Sequence, residues 1–134
     1  MTGSCHCGAV RVTVAHRPEY VNFCDCSLCA KSGGVWGYFE SADITVSGET
    51  RSYRRADYAA PAVEMQSCPV CGTTTHWLTT EHFDGDRVGV NVRIFEPAEL
   101  NGVEARFLDG RNWTGDTTPA HRRPTGKLGL DAFL

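Results

Sequence analysis

Apolar and polar residues alternate with period two along much of this chain. In GAVRVTV (8–14), Val10, Val12 and Val14 fall on one side and Arg11 and Thr13 on the other. In RVGVNVRIF (87–95), Val88, Val90, Val92 and Ile94 alternate with Gly89, Asn91 and Arg93. Residues two apart share one face of a strand, so both segments read as half-buried strands. Weaker strand patterns occur in YVNFC, GVWGYFE, DITVSGE, SYRRA, AVEMQS, THWLT and VEARFL, punctuated by Gly, Pro, Asp and Asn. Short strands at this spacing predict an antiparallel β domain. Helical signal is sparse. CSLCAKSG (26–33) predicts one turn ended by Gly33 and Gly34, and EPAEL (96–100) another. The last stretch, GDTTPAHRRPTGKLGLDAFL, carries two prolines and three glycines. It reads as a loosely packed tail whose Leu128, Leu130, Phe133 and Leu134 can dock on the body or on a second subunit.

Length and charge narrow the classes. At 134 residues the chain is one domain's worth, able to bury about two-thirds of its unfolded surface. The formal charge is −3 and the basic residues are scattered, which gives no footprint for nucleic acid. No apolar run is long enough to span a membrane. MTGSCHCGAV has no basic segment followed by an apolar stretch, so the sequence predicts no secretory signal and a cytoplasmic protein.

Seven cysteines change the picture, because a disulfide scaffold prefers an even set and a reducing compartment favours metal binding or chemistry. They fall into CHC (Cys5, Cys7), CDCSLC (Cys24, Cys26, Cys29) and CPVC (Cys68, Cys71). CPVC is followed by Gly72 and CHC by Gly8, the pattern of a knuckle that aims two sulfurs at one ion. The economical partition places Cys5, Cys7, Cys68 and Cys71 around one structural zinc. Two competing readings are buried free cysteines, which have no reason to cluster, and a redox pair in CPVC, which lacks its βαβ context.

Cys24, Cys26 and Cys29 remain. Their fourth partner is either a histidine (His6, His16, His76, His82 or His121) or an open position of the kind catalytic zinc keeps. The absence of a histidine at a tidy spacing favours the open position. Three thiolates leave a zinc dication with net charge near −1, a poor activator of water. Such an ion still holds a bound thiol as thiolate, so chemistry on a thiol substrate suits it best.

The ordered set GSCHCGAVRVTV, CDCSLCAKSGG, CPVCGTTTHW and VGVNVRIFEP resembles the Gfa family, the glutathione-dependent formaldehyde-activating, or S-(hydroxymethyl)glutathione synthase-like, proteins that include centromere protein V-like members. The resemblance covers about residues 3 to 110. It implies a mainly β, β-tent zinc-binding fold of several coiled antiparallel sheets with short helical turns. We therefore expect a zinc-binding β domain over residues 1–112 and a tail over 113–134, packed on the same domain or on a partner subunit. The resemblance also implies two zinc ions, structural on Cys5, Cys7, Cys68 and Cys71, and catalytic on Cys24, Cys26 and Cys29, where glutathione joins. The expected partners are a glutathione-like thiol and an aldehyde, without nucleic acid or membrane, in a chain that can form a homo-oligomer.

Two departures bear on substrate: Asp25 stands where the second cluster often has histidine, and EMQS precedes CPVC where many members carry an arginine and an aromatic residue. The expected activity is carbon–sulfur lyase-type joining of a thiol to formaldehyde or a related aldehyde. Lys31 and Arg93 are the candidate carboxylate-binding residues, and Asp25 and His76 the candidate proton donors. Trp36, Tyr38 and Trp77 are candidate pocket walls, although packing is the commoner use of such rings. The alternatives are a thiol carrier without rate enhancement, a protein-interaction module in which metal only builds the scaffold, and, more distantly, a nucleic-acid-binding zinc ribbon.

Overall fold

The computed structural model describes residues 1–115 and 118–129. Eleven strands and one short helix form among them, the strands in two sheets. The strands are β1 (Thr2–Ser4), β2 (Arg11–Val14), β3 (Tyr20–Asn22), β4 (Trp36–Phe39), β5 (Ile44–Ser47), β6 (Arg51–Arg54), β7 (Val63–Ser67), β8 (Thr74–Thr79), β9 (Val88–Asn91), β10 (Glu104–Arg106) and β11 (Gly126–Lys127). The smaller sheet runs β1-β2-β5 and the larger β11-β10-β3-β4-β9-β8-β7-β6. The mainly β class is as expected. One pair departs from the all-antiparallel reading: β10 lies parallel to β3, with Ala105 opposite Val21. These strands lie more than 80 positions apart in sequence, so no local turn signal marks the pairing.

The alternating valines in and just before β2 do what their period demands. Val10, Val12 and Val14 are buried while Arg11 and Thr13 are exposed. Val12 and Val14 join Val21, Phe39, Val90, Val92, Phe95, Leu100 and Phe107 in the main core, each full burial stabilising by about 1.5–3 kcal/mol.

The second patterned segment, RVGVNVRIF, differs from its reading. It is strand only over Val88–Asn91 and buried on both faces. The Asn91 side chain accepts from the Arg93 N–H and turns the chain into a 3₁₀ turn over Val92–Ile94. The opposite face of β9 is covered by Trp77, since a Cβ on Gly89 would lie 2.1 Å from that indole.

The larger sheet therefore has two occupied faces. Cross-strand partners share a face, so Trp36, Tyr38, Gly89, Asn91, Trp77 and Met65 line one side. Phe39 and Val90 occupy the other, in the core.

The helix α1 (Ser27–Ser32) is too short to stand alone and is closed at both ends by its own sequence. The Cys26 sulfur accepts the Cys29 N–H at its start, and Gly33 ends it at φ 70° with its N–H on Cys29 O. The expected turn at 96–100 forms over Pro97–Leu100. The described part of the tail folds back on the body. Leu128 is 3% exposed in the core, β11 pairs with β10, and Arg122 donates to the carbonyls of Leu108 and Phe23. Leu130, Phe133 and Leu134 lie outside the described residues.

Candidate functional site

The seven cysteines gather into the two groups that spacing separates. The Sγ atoms of Cys5, Cys7, Cys68 and Cys71 all lie within 4.8 Å of one another, as do those of Cys24, Cys26 and Cys29. All seven are free thiols.

The four-cysteine group is built from two similar turns. In one, the Gly8 N–H bonds Cys5 O at 3.0 Å with Gly8 at φ 80°. In the other, the Gly72 N–H bonds Cys68 O at 2.9 Å with Gly72 at φ 76°. These left-handed positions are why glycine follows the second cysteine in both motifs. The Cys5–Cys7 and Cys7–Cys68 sulfur separations are each 3.6 Å. That is far beyond a disulfide's roughly 2.05 Å and near the roughly 3.8 Å edge of a tetrahedron with Zn–S bonds of about 2.3 Å. Cys5 and Cys68 are buried and the Val10 N–H points at the Cys5 sulfur at 3.2 Å, so the group ties β1 and β2 to the β7–β8 hairpin. The donor set fits a closed structural metal site.

The three-cysteine group sits where β3 runs into α1. Each sulfur is held by something distant in sequence or by the helix itself. Trp36 Nε1 donates to Cys29 Sγ at 3.2 Å, Arg55 Nη1 to Cys26 Sγ at 3.9 Å, and the Cys29 N–H to Cys26 Sγ at 3.5 Å. The backbone of Gly110 lies against Cys24, where a Cβ would stand 2.3 Å from the sulfur. Hydrogen bonds from Cys24 and Cys29 hold the Cys26 thiol down at about 2, with Arg55 adding to the effect. The same sharing with Cys26 pushes Cys24 up to about 11, and bonds to Cys24 and Cys26 together with burial push Cys29 well above the thiol range. A dication among the sulfurs would hold all three as thiolates. The donor set thus fits a metal, and no histidine or carboxylate among the described residues joins it as a fourth ligand.

The cluster opens onto a cavity of ≈ 500 Å³. Its walls come from the outer face of the large sheet (Trp36, Tyr38, Met65, Trp77), from the β6–β7 loop (Arg55, Tyr58, Ala60, Ala62) and from Leu108, Gly110 and Trp113. Two glycines seat the indoles: a Cβ on Gly34 would fall 2.0 Å from Trp36, as one on Gly89 would meet Trp77. Arg55 is held from several sides. It makes a two-pronged pair with Asp57, both distances 2.8 Å, donates to Ser27 Oγ at 3.1 Å and stacks 3.5 Å over Tyr58. Arg55 in turn holds the Asp57 carboxyl down at about 2.

The expected walls Trp36, Tyr38 and Trp77 all face this space. The other candidates lie elsewhere. Lys31 lines a neighbouring groove of ≈ 490 Å³ that shares Leu28 and Arg55 with the cavity. Arg93 is exposed in the 3₁₀ turn after β9, away from the cavity lining. Asp25 ties the cluster loop to the C-terminal segment, accepting from the Arg111 N–H at 3.1 Å and pairing with Arg122 at 3.5 Å. His76 is buried opposite Gln66 and Val90, bonded to Thr75 at 2.9 Å, and burial pulls it down to about 4. Arg55, Gly110 and Trp113 escaped sequence reasoning. Nothing in DGRNW (109–113) hints that its glycine must clear a cysteine 86 positions earlier.

The family model described as glutathione-dependent formaldehyde-activating enzyme matches residues 1–108. A Halomonas elongata protein whose provisional name is glutathione-dependent formaldehyde-activating enzyme is 51% identical over 50 residues, spanning 37% of this chain and 29% of that relative. A crystal structure of a Rhodobacter sphaeroides protein superposes with TM-score 0.60 and 30% identity, over 72% of this chain and 88% of the other. Among the described residues no helix is long and apolar enough to cross a membrane.

Proposed function

This chain belongs to the glutathione-dependent formaldehyde-activating family, and on that premise we propose that it joins a thiol to an aldehyde at the Cys24, Cys26 and Cys29 cluster. The observation that carries the reading is the open side of that cluster: three sulfurs, no fourth protein ligand among the described residues, and a cavity in front of them. The other four cysteines serve the scaffold. Zinc suits both donor sets, and at the three-cysteine site its charge would keep a substrate thiol ionised at neutral pH. The family description supplies glutathione and formaldehyde as the thiol and the aldehyde.

The chain's own residues complete the step. Trp36 and Arg55 direct N–H groups at the cysteine sulfurs and fix the cluster's geometry and charge. The aromatic walls exclude water from the reacting carbon. The substrate sulfur bonds to the aldehyde carbon, the carbonyl π pair moves to oxygen, and that oxygen takes a proton, giving a hydroxyalkyl thioether.

We assign the proton to Tyr38 Oη. Asn22 Nδ2 donates to this oxygen at 3.1 Å, and the amide cannot turn because its Oδ1 receives the Leu108 N–H at 3.2 Å. Tyr38 is therefore the acceptor in that bond, and its own proton is free to point into the cavity. Burial raises its pKa, so the phenol stays protonated at neutral pH. The proton lost by the thiol restores it, and the balance closes.

Stopped-flow measurement of adduct formation from glutathione and formaldehyde, with and without protein, tests the reading. Rate enhancement lost in Cys26→Ser, and reduced by about 10²-fold or more in Tyr38→Phe with metal content unchanged, is the expected result. Thiol binding without enhancement would make the protein a carrier.

A further inference from the structure

The cavity in front of the three-cysteine cluster is chemically unlike the thiol named by the family. At neutral pH glutathione carries two carboxylates and an ammonium group, and each must find a partner when it leaves water. Away from the cysteines, the described lining is mostly apolar, with Trp36, Trp77, Trp113, Phe83 and Met65 its largest apolar side chains and Thr114 and the Tyr38 and Tyr58 rings among its polar members. The one formal cation in that lining is Arg55. Its guanidinium is already engaged by both oxygens of Asp57, by Ser27 Oγ, by the Tyr58 face and by Cys26 Sγ. Recruiting it for a substrate carboxylate would break a two-pronged ion pair. Formaldehyde, with two heavy atoms, fills only a small part of ≈ 500 Å³, a volume of the size that ordinary small-molecule ligands occupy.

We propose that the cavity takes the body of an apolar thiol, one bearing an aryl or branched alkyl group, in preference to glutathione. The proposal rests on reading Cys24, Cys26 and Cys29 as the thiol site. The sulfur lies at the cluster, and the carbon body lies against Trp36, Trp77 and Met65, which pack together on the outer face of the sheet. Apolar transfer and ring contacts drive the association, and no buried charge needs a new partner.

The chain's three tryptophans all line this cavity, so intrinsic fluorescence reports its filling directly. Purified, zinc-loaded protein is titrated separately with phenylmethanethiol, with glutathione and with benzyl alcohol, which keeps the ring and lacks the sulfur. The expected result is that phenylmethanethiol binds about tenfold or more tightly than either of the others. Ala62→Phe, which fills the cavity from the β6–β7 side, weakens phenylmethanethiol by about tenfold and 2-mercaptoethanol, which lacks the apolar body, by much less. Glutathione binding as tightly as phenylmethanethiol, or more tightly, overturns the proposal while leaving the thiol site standing. Benzyl alcohol equal to phenylmethanethiol, or both thiols binding undiminished to folded Cys26→Ser protein, removes the thiol site itself and the proposal with it. The comparison of ligands on the unaltered chain is decisive even where Ala62→Phe fails to fold.

Discussion

Gly110→Ala isolates one contact at the three-cysteine cluster. Gly110 does not have positive φ, so alanine suits its backbone and any effect comes from the added methyl. That methyl would stand 2.3 Å from Cys24 Sγ, 3.1 Å from Cys26 Cβ and 3.2 Å from Cys26 N. Favourable carbon contacts begin near about 3.5 Å, so the first separation is short by more than about 1 Å. Relief by moving Gly110 is resisted, because Arg111 N–H is held by Asp25 at 3.1 Å and Asp109 N–H by Ala120 O at 2.8 Å. The cysteines must move instead. Overpacking of this kind costs about 1–3 kcal/mol, which converts to roughly fivefold to 150-fold in affinity for metal at this cluster. Titration of zinc-loaded protein with a chromophoric chelator should show two phases, with Gly110→Ala advancing the weaker and leaving the tighter in place. Gly102→Ala serves as control: Gly102 has φ 80° and open space around it, so alanine there strains the backbone without touching either cluster. Equal effects of Gly110→Ala on both phases, or none on either, would show that this contact does not set metal affinity at the three-cysteine cluster.

Further outcomes follow from the same geometry. Cys26→Ser should lose one metal per chain and keep its circular dichroism spectrum, whereas Cys68→Ser, which opens a buried junction between the two sheets, should not refold; identical behaviour of the two would erase the division between reactive and scaffold sites. Trp36→Phe deletes the N–H that points at Cys29 Sγ at 3.2 Å, and a bond to a charged sulfur is worth about 1.5–3 kcal/mol, so the metal off-rate at that cluster should rise at least tenfold. His76 contributes a pH dependence: burial holds its folded pKa at about 4, below the ordinary histidine value of 6.5, so its contribution is full above 6.5 and is lost as pH falls toward 4. The limit of that loss is about 3 kcal/mol. Denaturant midpoints of the wild type should therefore fall relative to His76→Gln across this window, cysteine protonation being common to both proteins, and parallel curves would show that His76 is not buried uncharged.

Period-two alternation and glycine-closed cysteine turns were legible because both are local. Val10, Val12 and Val14 needed only their own spacing to declare an inward face, and Gly33, one residue past Ser32, marked the end of the helix. The cysteine partition was readable for the same reason, since chelating spacing is short-range chemistry. What sequence could not convey was contact between distant segments. Arg55 and Gly110 reach the cluster from two separate loops, and β10 lies beside β3 through a parallel pairing with no turn to announce it. Arg93 continued a perfect alternation, yet the Asn91 side chain captured its N–H and ended the strand two residues earlier. Lys31 was close to the cysteines in sequence, but the helix turns it into the adjoining groove. Local pattern gave the elements, and the site depends on what the fold then brings to them.

In the proposed function, the three-cysteine cluster binds metal with one position left for a substrate sulfur. A crystal structure of zinc-loaded protein soaked with phenylmethanethiol or glutathione, read by anomalous scattering at the zinc edge, tests it most directly. Two zinc peaks per chain are expected. One is enclosed by Cys5, Cys7, Cys68 and Cys71, and the other is bound by Cys24, Cys26 and Cys29 with the soaked sulfur at about 2.3 Å as fourth ligand. A single peak, or a protein side chain in that fourth place with thiol present, would contradict it.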